Sequence, residues 1–180
     1  MDLFEAIEKR YSHKEKFLPD AVPLEALERI AGAGLAAATG MNTQCVRLII
    51  LPDREAIQPL CDVTPTDGMM TAPAAIAVLT DSSMQKAPKG ELYNFEMEDY
   101  SAATENMLLA ATALGYSSLW LDSPYFDDEK QKTALKVLDA PDGYSLRVVL
   151  PIGLPDGDGT RREKLSFDER VSYRHFGGKK

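Results

Sequence analysis

A chain of 180 residues that is 44% hydrophobic and carries a formal net charge of −8 has enough apolar mass to bury a core. It is too acidic to favour nucleic acid or an anionic membrane as its partner. No run approaches the roughly 18–20 uncharged apolar residues of a membrane-spanning helix, and Asp2, Glu5 and Glu8 put acidity where a signal or transit peptide carries none.

In chain order, the pattern alternates helix and strand. Asp2 with Glu5 reads as a capping box ahead of a short helix ending near Arg10, with Leu3, Phe4 and Ile7 on one face. Pro23 suits a first helical turn, after which Leu24, Leu27, Ile30, Ala31, Gly34 and Leu35 recur at helical spacing. Val46 to Leu51 is a buried strand closed by Pro52-Asp53, Glu55 to Leu60 a short helix, and Ala74 to Leu79 a second buried strand. Glu98 to Leu114, stopped at Gly115, is the longest helix. Small or apolar residues run nearly all round it, as in a core axis or a subunit interface. Ser118 to Leu121 reads as a short strand that contains Trp120 as a core residue. Asp127 to Leu138 reads as a helix, Leu146 to Ile152 as a strand, and everything from Gly153 onward as polar loop. No repeat or low-complexity segment interrupts residues 1–180, so one α+β domain is expected.

Chemistry-bearing motifs are few. Two cysteines, Cys45 and Cys61, fit a reducing cytoplasm, and two histidines without CxxC or HxxxH spacing leave a metal no ligand set. Gly32-Ala33-Gly34-Leu35-Ala36-Ala37 matches the dinucleotide fingerprint, but it lies inside a helix instead of between strand and helix, so small-residue packing accounts for it better. Asp156-Gly157-Asp158-Gly159 would need a glycine and a glutamate where Arg161 and Phe167 stand in a calcium loop; it reads as a turn. Cys45 has no neighbouring histidine and abuts an apolar strand, which makes it a structural thiol. With no acid–base constellation in view, a bound cofactor is the natural carrier of any chemistry.

Two segments stand out. Arg10-Tyr11-Ser12-His13-Lys14 offers guanidinium, hydroxyl and ammonium donors, the groups that grip a phosphate. Thr39-Gly40-Met41-Asn42-Thr43-Gln44 offers side-chain amides that donate and accept along the edge of a planar heterocycle. A second basic run, Arg161, Arg162 and Lys164, lies near the other end of the chain. Taken alone, such charge runs are more often solvated surface than a site.

Together these fragments resemble the nitroreductase family of flavin enzymes. RYSHK is similar to the family's RRSxR, with Arg10 and Ser12 matching, and Tyr11 and Lys14 each in an arginine's place. ATGMNTQCVRLII resembles APSxxNxQPWRFxVV through Asn42, Gln44 and Arg47, with Thr39 for serine, Ala38 and Cys45 for the two prolines and Val46 for tryptophan. APAAIAVLTD is similar to the family's core strand. EDYSAATENMLLAATALGYSSLWLDSP resembles DxxxAxQNLLLAAxxLGLGSxWIGG, with Asp99, Ala103, Asn106 and Gly115 in register. RREKLSFDERV resembles the basic K-x-R-x-PLEE tail.

The resemblance implies a three-layer α/β/α sandwich around a mixed, mainly antiparallel sheet, bound flavin mononucleotide (FMN) and a cytoplasmic homodimer. Arg10, Ser12, Lys14, Arg162 and Lys164 would hold the phosphate and ribityl chain. Tyr11 would join that set in place of an arginine, which removes one phosphate-gripping guanidinium. Thr39, Asn42 and Gln44 would reach the isoalloxazine, in this family often from the second subunit. Leu121, Asp122 and Ser123 would lie beside the ring near N5, which carries the chemistry, so no protein side chain is assigned as catalytic. Ser123 stands where glycine is common, and Asp122 reads equally as a site acid or a salt-bridged structural carboxylate. NADH or NADPH would donate hydride to the flavin, which would reduce a nitroaromatic, quinone or related small acceptor by ping-pong turnover. A flavin-binding protein without efficient turnover is the alternative. The segment from Ser82 to Phe95, with Tyr93 and Phe95, falls where such enzymes carry a variable lid.

Overall fold

The β-branched and small residues that mark the strands also dictate how the sheet is covered. A computed structural model describes residues 1–84 and 94–180. Its strands β1 (Val46–Leu51), β2 (Ala74–Asp81), β3 (Ser117–Ser118) and β4 (Tyr144–Gly153) form a sheet ordered β1-β2-β4-β3. The ladders between these strands are antiparallel, and among the described residues parallel pairing is confined to an isolated bridge, Ser12 to Ser118. Alternation sorts the side chains onto two faces. Val46, Ile76, Val78, Val148 and Leu150 enter one apolar cluster, while Leu51, Ala75, Ala77, Leu79 and Val149 enter another.

Helices α2 (Leu24–Leu35) and α5 (Glu96–Ala113) cover the first face, supplying Leu27, Ile30, Ala103, Met107 and Ala111. The second face is covered by α3 (Arg54–Val63) and α6 (Asp128–Val137), through Ile57, Leu60, Cys61 and Ala134. The result is the α+β domain that the pattern predicts, in the three-layer arrangement that the resemblance implies. Helix α1 (Leu3–Lys9), capped by Asp2 Oδ1 accepting from the Glu5 N–H at 2.9 Å, buries Ala6 and leaves Leu3, Phe4 and Ile7 exposed.

Four expectations need correction. The strand expected over Ser118 to Leu121 is assigned only at Ser117–Ser118, although Leu121 still pairs with Val149 in the same register. Leu119 N–H donates to Pro151 O at 3.4 Å, and proline has no N–H with which to return the bond. Trp120 therefore lies outside the strand, half-buried against the first cluster. A further helix, α4 (Asp67–Thr71), follows the capping hydroxyl of Thr66. The tail is not all loop, because Ser166 and Glu169 close a capping box around α7 (Phe167–Arg170). The long helix begins at Glu96, where Asn94 Oδ1 accepts from the Glu96 N–H at 2.9 Å.

Between Val78 and Leu79 the β2–β4 register shifts, leaving Arg147 as an extra residue on β4. Arg147 Nε donates to Thr80 Oγ1 at 2.8 Å, and its guanidinium pairs with the buried Glu96. The bulge thereby ties the start of α5 to the sheet. Further along, Gly34 of α2 lies so close to α5 that a Cβ would sit 2.8 Å from Met107 Cγ. Close packing is thus the reason for the glycine, as the rejected dinucleotide motif implied. Gly34→Leu should destabilise the fold by about 1–3 kcal/mol, the cost of overpacking a close contact, measured as a lowered midpoint in denaturant.

Candidate functional site

Two basic segments far apart in sequence meet because the chain after α1 is threaded along the end of the sheet. His13 N–H donates to Ser118 O at 3.0 Å, Leu18 N–H to Leu154 O at 2.9 Å, and Asp156 N–H to Lys16 O at 2.9 Å. Phe17 also bridges Pro155, so residues 12–18 are stitched to β3 and to the chain leaving β4. That chain then delivers its basic run beside Arg10 and Lys14. A cavity of about 550 Å³ results, lined by Arg10, Tyr11, Ser12, Lys14, Arg162 and Lys164, with Arg161 as an additional cation. Glu8 and Glu15 are its carboxylates.

The donor set fits a phosphate group. Among the described residues, Lys14, Arg161, Arg162 and Lys164 make no ion pair, and Arg10 approaches only Glu105, its Nε 3.3 Å from Oε1. That contact is not aligned as a hydrogen bond, so the buried Arg10 Nε lacks a hydrogen-bond acceptor, and the buried Ser118 Oγ lacks a partner too. Convergent cations in an acidic protein and an orphaned buried donor suit a dianionic ligand.

Tyr11 lines the cavity, but its hydroxyl is engaged elsewhere. It accepts from Ser117 Oγ at 3.2 Å and lies 3.5 Å from His13 Nδ1. His13 is fully buried, its Nε2 donates to Lys16 O at 2.8 Å, and its Nδ1 lies 3.6 Å from Glu15 Oε2. The Tyr11 ring lies where a Cβ on Gly159 would be. Tyr11 is accordingly a post between the N-terminal segment and the basic tail.

Thr39, Asn42 and Gln44 are not part of this cavity; they lie on the loop that enters β1. Met41, Asn42 and Gln44 adopt left-handed backbone with φ of 52°, 56° and 51°, conformations that cost non-glycine residues about 1 kcal/mol or more each. Asn42 and Gln44 are exposed, Thr39 Oγ1 accepts from the Gln44 N–H at 3.3 Å, and Arg47 donates to Gln44 O at 2.7 Å. Beneath the loop, the buried Asp99 accepts from the Gly40 N–H at 2.7 Å and from Thr43 Oγ1 at 2.8 Å. In the sequence, Asp99 only falls in register with a family motif and carries no evident role. A carboxylate in the first turn of a helix passes as an ordinary partner of the helix dipole.

Leu121 is buried, Asp122 half-buried and Ser123 exposed, at the start of a 3-10 turn over Ser123–Phe126. Asp122 Oδ2 accepts from Trp120 Nε1 at 2.9 Å. No cation lies in salt-bridge contact with it among the described residues. Of the expected lid, residues 85–93, Tyr93 included, lie outside the described residues. Phe95 packs so closely on Gly40 that a Cβ there would overlap its ring.

Cys45 is buried, and its Sγ donates to Asp99 Oδ2 at 3.4 Å. Burial first, and then that hydrogen bond, push the thiol up to about 11. It therefore stays protonated and non-nucleophilic at neutral pH, the structural thiol expected. Cys45 stabilises the fold most below the ordinary value of 9.0, and that contribution disappears as pH rises through about 11. Iodoacetamide should leave Cys45 unmodified at pH 8 in the native protein and label it after denaturation, which peptide mass mapping reads directly. No group of metal-binding side chains occurs among the described residues, and no described helix is long and apolar enough to cross a membrane.

Comparison with known proteins supplies independent findings. The model of the Nitroreductase family matches residues 7–65 and 62–154. A protein of Methanothermobacter thermautotrophicus, provisionally named an NADH dehydrogenase/NAD(P)H nitroreductase, is 31% identical over 163 residues, covering 89% of this chain and 82% of its own. A crystal structure of a protein from Parabacteroides distasonis, named provisionally in the same way, superposes with a TM-score of 0.81 at 26% identity, covering 96% of this chain and 98% of that one. A nitroreductase, also provisionally named, from Desulfovibrio desulfuricans, crystallised in complex with FMN, gives a TM-score of 0.80 at 26% identity, with 95% of each chain covered.

Proposed function

The chain belongs to the nitroreductase family, and on that premise we propose that it binds FMN and works as an NAD(P)H-dependent oxidoreductase on small acceptors such as nitroaromatics or quinones. One observation carries this reading above the others. Arg10, Ser12 and Lys14 from one end of the chain and Arg162 and Lys164 from the other line a single cavity. A random scatter of surface charge gives no reason for that convergence, whereas a cofactor phosphate does.

In this reading, the guanidinium and ammonium groups hold the phosphate, the Ser12 hydroxyl serves its oxygens or the adjoining ribityl chain, and Tyr11 keeps the two basic segments together. Thr39, Asn42 and Gln44 present amide and hydroxyl groups to the edge of the ring, and Leu121, Asp122 and Ser123 line its neighbourhood. A bound flavin would supply the redox chemistry, with NADH or NADPH as hydride donor and a small molecule as acceptor in a ping-pong cycle. The protein's part is to bind, orient and exclude water.

The loop residues lie outside the phosphate cavity, and Leu3, Phe4 (75% exposed), Ile7 and Phe167 leave apolar surface uncovered. Both features support a homodimer in which one protomer holds the phosphate and its partner contacts the ring. Two buried free cysteines support a reducing, cytoplasmic setting. Anaerobic addition of NADH or NADPH to the flavin-loaded protein tests turnover. Bleaching of the flavin absorbance, restored by a quinone or nitroaromatic, is expected. A bound flavin that neither nucleotide reduces contradicts the enzymatic reading and leaves a flavin-binding protein.

A further inference from the structure

The loop that carries Thr39, Asn42 and Gln44 is fastened to the body of the protein by a side chain far away in sequence. We propose that Asp99 is a positioning residue for the flavin ring, holding residues 39–44 in the strained conformation that displays those three side chains. The inference rests on the flavin-binding reading above. Asp99 is 2% exposed, and both of its oxygens are used. Oδ1 accepts from the Gly40 N–H at 2.7 Å, across 59 residues of sequence, and Oδ2 accepts from Thr43 Oγ1 at 2.8 Å, across 56.

Arg47 of β1 holds the end of the loop at Gln44 O, but the bonds within the loop do not fix the rest of it in place. Asn42 N–H donates to Thr39 O at 3.1 Å and Thr43 N–H to Gly40 O at 3.0 Å, closing a turn without attaching it to the sheet or to α5. Left-handed residues at 41, 42 and 44 persist only where the surroundings over-determine them. Asp99 supplies that restraint through the first and fourth residues of Gly40–Thr43, while Phe95, four residues earlier, packs on Gly40. Removal of the carboxyl group strands a buried hydroxyl and a backbone N–H, and it lets the amide side chains of Asn42 and Gln44 move.

The test measures binding of FMN and of riboflavin, which lacks the phosphate, to apoprotein that sediments as the wild type does. In Asp99→Ala, both affinities should fall on the order of tenfold or more, with the FMN-to-riboflavin ratio unchanged because the phosphate cavity is intact. Asp99→Asn retains an oxygen for the Gly40 N–H and offers its amide to a reversed Thr43 hydroxyl. It should restore most of the lost affinity. Wild-type affinity for both flavins in Asp99→Ala overturns the inference and leaves the flavin reading standing. A collapsed FMN-to-riboflavin ratio also overturns it, since the damage would then reach the phosphate cavity and the role would be structural. If Asp99→Ala does not fold, Thr43→Val carries the same test through a few-fold loss of riboflavin affinity, and no loss overturns the inference. A wild type that binds neither flavin defeats the flavin reading and the inference together.

Discussion

Arg10→Ala and Arg162→Ala should each weaken FMN binding by roughly ten- to a hundred-fold, the loss of one charge-assisted contact worth about 1.5–3 kcal/mol, while riboflavin binding stays nearly unchanged. Both guanidiniums line the same cavity, one from each end of the chain. The fold should tolerate either change. Arg162 is exposed, and Arg10 approaches only the half-exposed Glu105, a type of surface pair that contributes little to stability. Fluorescence titration of the two flavins reads the difference. Equal losses for FMN and riboflavin would mean the clusters do not contact the phosphate, and unchanged FMN affinity in both variants would make them ordinary surface.

Dilution should release flavin and subunits together. If one protomer supplies the phosphate donors and its partner the ring contacts, cofactor binding and assembly are thermodynamically linked. An interface able to cover both the ring and the exposed apolar residues of α1 and the tail should exceed roughly 2,000 Å². Added FMN should then shift the monomer–dimer equilibrium toward dimer in sedimentation. A monomer that retains flavin tightly rules out the shared site.

Much of this was legible in the sequence, for identifiable reasons. Ala74–Asp81 and the later part of Tyr144–Gly153 are buried on both faces, and Val46–Leu51 is apolar apart from the exposed Arg47, so a near-continuous apolar run marks each of them. The all-round apolar helix read near 98–114 is a buried layer in the structure, with Ala103, Met107, Leu108 and Ala111 inside. Other features depend on pairing, which no local pattern encodes. The extra residue at Arg147 exists only relative to β2, and Pro151 interrupts a ladder that hydropathy alone would extend to Leu121. Helix α7 could have been found, since Ser166 and Glu169 have the spacing of a capping box. Gly68 beside Met69 and Met70 gives α4 no comparable signal beyond Thr66.

The site divides in the same way. Basic residues at both ends are plain in the sequence, but their convergence is a product of topology, through Ser12 beside Ser118 and Phe17 beside Pro155. Tyr11 reads as a weakened phosphate donor; it lines the cavity, and its hydroxyl accepts from Ser117 and lies near His13, partners that no local pattern encodes. Asp99 was hidden because its partners lie more than fifty positions upstream.

The central claim is that the cavity between the N-terminal and C-terminal basic segments receives a flavin phosphate. The most direct measurement is flavin content and uptake by the purified protein. The account predicts a yellow protein carrying about one FMN per protomer, or a colourless one that quenches the fluorescence of added FMN to that stoichiometry. A colourless protein that leaves FMN fluorescence unchanged would contradict it.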